Sequence, residues 1–254
     1  MTLKTNNKKK KSLSSGKKIF SSIEKAATGV FYSIISIPDF INRSGKSAIP
    51  LDYRTATGID LSIFEPAIEY CSYAEIERVA GARSLKRQIE WLCGRVTLKE
   101  LLGTVLFPCQ GYRDIIINYS QTGRPYILKH ENIAISLSHS CDLAMAAVHT
   151  IPGKRIGIDV EKSTGVNFSS VLPVAFTEEE RAFYKDKSTA DIIKAFTIKE
   201  AYLKLIGLGF HEVIKKVTVI DNILYFDGKK VEESELFTIL CPDRYCASLI
   251  FDIE

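Results

Sequence analysis

The chain has 254 residues, 46% of them apolar and 25% charged, enough material for one large domain or two small lobes. No uninterrupted apolar run reaches the ~18 residues a membrane span needs, and the run 29–41 is interrupted by Pro38 and Asp39. The opening residues lack the basic-then-apolar order of a secretory signal, so a cytoplasmic protein is the expectation.

The net charge of +4 belongs to the tail. Residues 1–18 hold seven lysines and no acid, which leaves 4 − 7 = −3 for the rest. A run such as Lys8 to Lys11 suits nucleic acid or anionic lipid, but no aromatic residue is interleaved with it. A solvated, weakly ordered tail is the plainer reading, with no firm nucleic-acid signal. Residues 1–50 as a whole read as a basic, weakly ordered extension, in which 23–40 forms at most a short amphipathic element. The six cysteines form no C-x-x-C pair and no Cys/His cluster, so neither a disulfide framework nor a cysteine metal site is indicated.

From residue 51 the pattern becomes globular. A strand is expected over 58–65 and helices over 73–79 and 85–102, the second with Ile89, Leu92, Cys93 and Val96 on one buried face. β-type runs follow at 114–119, 133–138, 143–149 and 155–161, punctuated by Gly123-Arg124-Pro125 and Pro152-Gly153. Thr177-Glu178-Glu179-Glu180 is a capping-box signature, and a second helix runs over 191–206 to a stop near Gly207 and Gly209. Strands are expected again at 217–220, 223–226, 237–240 and 245–251. Helix-plus-strands thus occurs twice, 51–152 and 153–254, which suggests an α+β protein of two lobes without a sequence repeat.

Three features carry chemistry. In Gly157-Ile158-Asp159-Val160-Glu161, strand alternation sends Asp159 and Glu161 to one face and Ile158 and Val160 to the other. Paired hard-oxygen ligands suit Mg²⁺, although a strand with one solvated face also fits. In the segment 196–204, Glu200 lies on or beside a helical face defined by Ile192, Phe196 and Leu203, where a carboxylate needs a partner. Lys204, at i+4, is a sufficient structural one. In Ser136-Leu137-Ser138-His139-Ser140, a hydroxyl and an imidazole join the upstream Arg124 in a set suited to phosphate, or form an ordinary turn. No G-x-S-x-G elbow supports a serine hydrolase, and no P-loop supports a nucleoside-triphosphate enzyme.

In this order and spacing, Gly123-Arg124-Pro125, Ser138-His139-Ser140, Gly157 to Glu161 and Phe196 to Lys204 resemble the motifs of the Sfp-type 4'-phosphopantetheinyl transferases, enterobactin-synthesis branch included. The helix opening Lys86-Arg87-Gln88-Ile89-Glu90-Trp91-Leu92-Cys93-Gly94-Arg95 is similar to that family's basic helix, and the likeness covers about residues 72–251. Two departures are visible: Arg124 stands where the family has lysine, and Phe196 where many relatives have tryptophan. The resemblance implies two similar α/β lobes in a pseudo-twofold arrangement with the active site between them. It implies transfer of phosphopantetheine from coenzyme A to a serine of an apo acyl or peptidyl carrier protein, by a monomer. Asp159, Glu161 and Glu200 would hold Mg²⁺, with Glu200 also receiving the serine proton. Lys204 would neutralise the 3',5'-ADP leaving group. Ser138 and His139 would hold phosphates, and Arg83, Lys86 and Arg124 would surround the 3'-phosphate and adenine. The carrier would be a small acidic helical bundle, and a body charge of −3 leaves its docking to a local patch or to apolar contacts.

Overall fold

A computed structural model describes residues 20–44, 65–82, 84–165, 170–208, 214–242 and 244–253. Residues 20–44 correct the reading of a loose extension. They form a hairpin, β1 (Ser22–Ala27) and β2 (Val30–Ser36), turned at Gly29 with φ +70°, and then helix α1 (Ile37–Arg43). Ser36 caps α1 by accepting the Asp39 amide. β2 is covered on both faces: Ile35 joins the core beneath the helices, and Val30 joins a second core on the opposite side. A strand buried on both faces shows no apolar–polar alternation, so its sequence reads as a short apolar stretch.

Of the strand expected over 58–65, residues 58–64 lie outside the described residues, and Glu65 instead opens helix α2 (Glu65–Tyr70). Helices α3 (Tyr73–Ala80) and α4 (Leu85–Val105) follow, then a 3-10 turn at Tyr112–Asp114. The strand expected at 114–119 is only β3 (Ile117–Tyr119), because that turn occupies its beginning. β4 (Pro125–Ile127), β5 (Ala134–Ser140) and β6 (Leu143–His149) complete an antiparallel sheet in the order β1-β2-β6-β5-β4-β3.

α4 packs on one face of this sheet and carries the expected apolar residues Ile89, Leu92, Cys93 and Val96, all buried. It is also buried on its far side, where Arg95, Lys99 and Glu100 sit out of solvent. Glu75 pairs with Arg95 at 3.2 Å and with Lys99 at 2.6 Å, and Lys99 also donates to the Tyr70 carbonyl. Glu100 accepts from the Phe20 and Ser21 amides, the Ser21 hydroxyl and the Tyr70 hydroxyl. Glu100 persists as a buried carboxylate because both its oxygens are bonded, whereas Glu75 Oε1 accepts no hydrogen bond among the described residues and faces the Arg95 charge.

The second half begins with β7 (Ile156–Lys162), the edge of a sheet ordered β11-β12-β7 with β11 (Ser234–Ile239) and β12 (Tyr245–Asp252). β8 (Val217–Ile220), β9 (Ile223–Phe226) and β10 (Lys229–Lys230) form another small sheet. The short helix α5 (Leu172–Ala175) precedes α6 (Glu178–Tyr184), which opens with the anticipated Thr177/Glu180 capping box. α7 (Thr189–Ile206) starts two residues earlier than expected, because Ser188 and Asp191 form a capping box of their own. It ends as read, at Gly207 with φ +73°. The β7 sheet faces the six-stranded sheet across a core that includes Met145, Ala147, Ile158, Val160 and Leu249. α7 covers the other side, in a mixed α+β structure with antiparallel sheets.

α7 approaches β7 most closely at Gly157, where an added Cβ would lie 1.9 Å from the Ala201 carbonyl oxygen and 2.7 Å from the Leu205 amide nitrogen. Backbone cannot yield as a side chain can, so Gly157→Ala is expected to cost at least the ~1–3 kcal/mol of core overpacking. Gly81, with nothing within 4 Å of its added Cβ, is the control and should change stability by no more than about 0.5 kcal/mol. Thermal or urea melts of the two variants compare them, and equal small losses would contradict the close approach.

Candidate active site

Strand alternation on β7 is realised as expected. Ile158 and Val160 enter the inter-sheet core, while Asp159 and Glu161 continue the Gly157 face toward α7. On α7, Glu200 and Lys204 are one turn apart and face the same cleft, which encloses about 530 Å³. The first half contributes Arg124, Ser138 and His139 to its lining. Seven residues singled out in the sequence therefore meet in one place. Lys86 does not line the cleft but stands 3.7 Å from Glu90, which does. Arg83 lies outside the described residues.

Lys204 is not held by Glu200. Its Nζ donates to Asp159 Oδ1 at 2.7 Å and to the Ile158 carbonyl at 3.1 Å, so the i+4 pairing gives way to a bond from helix to strand. The Ser138 hydroxyl also donates to Asp159 Oδ1, at 2.8 Å, and the Ser140 hydroxyl donates to Glu161 at the same distance. Among the described residues, nothing hydrogen-bonds the buried Asp159 Oδ2. The structure thus places Ser138 in the cleft with its one proton directed at Asp159.

Crowding of carboxylates sets the electrostatics. Burial first, and then the neighbouring Asp159, push Glu161 up to about 7 and Glu200 up to about 8, with Lys204 pulling both down. His139 lies below its usual value, first from lost solvent around the ring and then from Lys204 and Lys86, with Glu90 opposing them. It is therefore neutral at pH 7. Among the described residues no group of three His, Cys, Asp or Glu side chains already stands in ligating geometry. The donor chemistry nevertheless fits a hard divalent cation, because hard-oxygen groups share one cleft and a buried Asp159 oxygen is left without a partner.

One wall of the cleft was not assigned a role from the sequence. Arg95, buried in mid-helix, lies between the rings of Trp91 (4.9 Å) and Tyr119 (5.3 Å) and donates to the Tyr119 hydroxyl at 2.8 Å. An arginine one turn after a tryptophan was the available signal, but its acid, Glu75, is on another helix. Arg124 follows a turn at Gly123 (φ +81°) and has no carboxylate partner among the described residues.

The raised carboxyls make a signed prediction. A group whose folded value lies above its unfolded one, here 4.5, stabilises the fold below that unfolded value and loses the contribution as pH rises through about 7 and about 8. In EDTA the melting temperature should fall between about pH 4.5 and about pH 8, and Glu200→Gln should flatten that fall. An unchanged slope in the variant would show that Glu200 is not the group responsible.

Residues 155–238 match the family description "4'-phosphopantetheinyl transferase superfamily", a span that includes Asp159, Glu161, Glu200 and Lys204 but not Arg124, Ser138 or His139. The chain is 26% identical over 136 residues to 4'-phosphopantetheinyl transferase gsp of Aneurinibacillus migulanus, covering 49% of this chain. It spans about half, 55%, of that relative's length. It is 23% identical over 199 residues to a phosphopantetheinyl transferase of Thraustochytrium sp., covering 69% of this chain and 68% of the relative. The β7–α7 side of the cleft thus lies in a segment with the pattern of the 4'-phosphopantetheinyl transferase superfamily, and the chain is similar to enzymes of that kind.

Proposed function

We propose that this protein is a Mg²⁺-dependent phosphopantetheinyl transferase of the Sfp type, enterobactin branch included. On this reading it moves the 4'-phosphopantetheine arm of coenzyme A onto a serine of an apo acyl or peptidyl carrier protein and releases 3',5'-ADP. The observation that carries the proposal is the convergence of Asp159, Glu161, Glu200 and Lys204 with Arg124 and His139 on one cleft. The family match over residues 155–238 supports it. We also read 51–152 and 153–254 as two lobes in a pseudo-twofold arrangement with the site between them. Support comes from α4 packing on the first sheet and α7 on the second, with the cleft drawing on both. A cytoplasmic monomer is part of the same proposal.

In the reaction the carrier serine oxygen forms a bond to the phosphorus bearing pantetheine, and the bond from that phosphorus to 3',5'-ADP breaks. Glu200 takes the serine proton, directly or through a water molecule, from its place on α7 in the cleft. Lys204 reaches the cleft from α7, and its ammonium offsets charge gathering on the departing diphosphate. Arg124 brings a guanidinium to the cleft for phosphate, and neutral His139 can donate one ring N–H. Asp159, Glu161 and Glu200 would hold the Mg²⁺, which when bound supplies charge neutralisation at the diphosphate.

Incubation with coenzyme A, Mg²⁺ and an apo carrier protein, followed by weighing the carrier, tests the proposal. The expected result is a mass gain of one phosphopantetheine arm. Asp159→Ala should abolish it, and Lys204→Met should lower turnover about 10²–10³-fold. Near-normal turnover in Asp159→Ala would refute the assignment of that carboxylate.

A further inference from the structure

β7 is the outer strand of its sheet, and among the described residues no strand pairs with its free edge. Serine side chains of β5 do so instead. Ser136 Oγ accepts from the Ile158 amide at 3.0 Å, Ser138 Oγ from the Val160 amide at 3.4 Å, and Ser140 Oγ from the Lys162 amide at 3.3 Å. The three serines alternate along β5 and so share one face, in step with alternate residues of β7. Two of the rungs do more. A hydroxyl has one proton and two lone pairs, so accepting an amide leaves its proton to be aimed elsewhere. Ser138 aims it at Asp159 and Ser140 at Glu161, each at 2.8 Å, whereas Ser136 bonds no carboxylate.

We propose that Ser140 is a positioning residue, which holds the Glu161 carboxylate in the orientation that receives a divalent cation while tying β7 to β5. This inference rests on the transferase reading above. Glu161 has three rotatable side-chain bonds, and the Ser140 hydroxyl is the side chain that fixes its Oε2. The amide of Lys162 fixes the hydroxyl in turn. Ser140 does not itself line the cleft, so its effect is on the Glu161 carboxylate and on the strand.

Mn²⁺ is the probe, with binding to the full chain measured by electron paramagnetic resonance without coenzyme A. Ser140→Ala should weaken Mn²⁺ about 10–100-fold, the usual effect of removing a partner that orients a metal ligand. Ser140→Thr, which keeps the hydroxyl, should restore most of the affinity. Ser136→Ala separates positioning from simple loosening: it removes a rung without touching a carboxylate, so it should lower the melting temperature and leave Mn²⁺ affinity within about two-fold. In transfer assays the Ser140→Ala deficit should appear in the Mg²⁺ requirement and recover at high Mg²⁺, with kcat retained. Parent-like Mn²⁺ affinity in Ser140→Ala overturns the proposal, and so does an equal loss in Ser136→Ala. Transfer by the parent onto an apo carrier, measured separately, tests the transferase reading itself. A parent that binds Mn²⁺ but transfers nothing sinks that reading alone.

Discussion

No side chain can stand between β7 and α7 at residue 157, and the geometry of the cleft follows from that contact. With Gly157 against the Ala201 carbonyl, the helix lies almost on the strand backbone. Asp159 and Glu161 then emerge along the strand on the side where Glu200 and Lys204 emerge along the helix. At this separation Lys204 bonds Asp159 at 2.7 Å. A wider gap would admit water and relax the crowding that lifts Glu161 and Glu200.

The buried charges divide into two kinds. Glu180 and Lys199 are fully buried, and Glu180 also accepts from the Thr177 and Val219 amides, so this pair joins α6, α7 and β8 with its oxygens bonded. Glu100 is likewise surrounded by donors at the start of β1. In the cleft the balance is different: acids sit together, and among the described residues one Asp159 oxygen has no hydrogen-bond partner. Satisfied charges hold elements together, and incompletely satisfied ones are kept where a ligand can complete them. Lys199 and Glu200 are adjacent in sequence and illustrate both kinds on a single turn of α7.

What was legible in the sequence was local. Alternation put Asp159 and Glu161 on one face, helical spacing put Glu200 and Lys204 on one side of α7, and the Thr177 capping box set the start of α6. What was not legible depends on partners distant along the chain. Lys204 finds Asp159, 45 residues away, in preference to Glu200 on its own helix. The burial of Arg95, Lys99 and Glu100 depends on α2, α3 and residues 20–21 closing over them. The serine ladder of β5 was visible only as three alternate serines, since a turn motif and a strand-bridging ladder share that spelling.

The place of β2 in the first sheet also orders events during synthesis. Its partner in the sheet interior is β6, with Ser36 opposite Leu143 and Val30 opposite His149, separations of 107 and 119 residues. At about 5–20 residues per second, the hairpin β1–β2 waits roughly 5–25 s after its own synthesis before β6 exists to receive it. Throughout that interval β2 presents an unpaired edge rich in Ile, Val, Phe and Tyr, the kind of strand that joins other chains. Glu100, which accepts the Phe20 and Ser21 amides in the folded protein, is made well before β6.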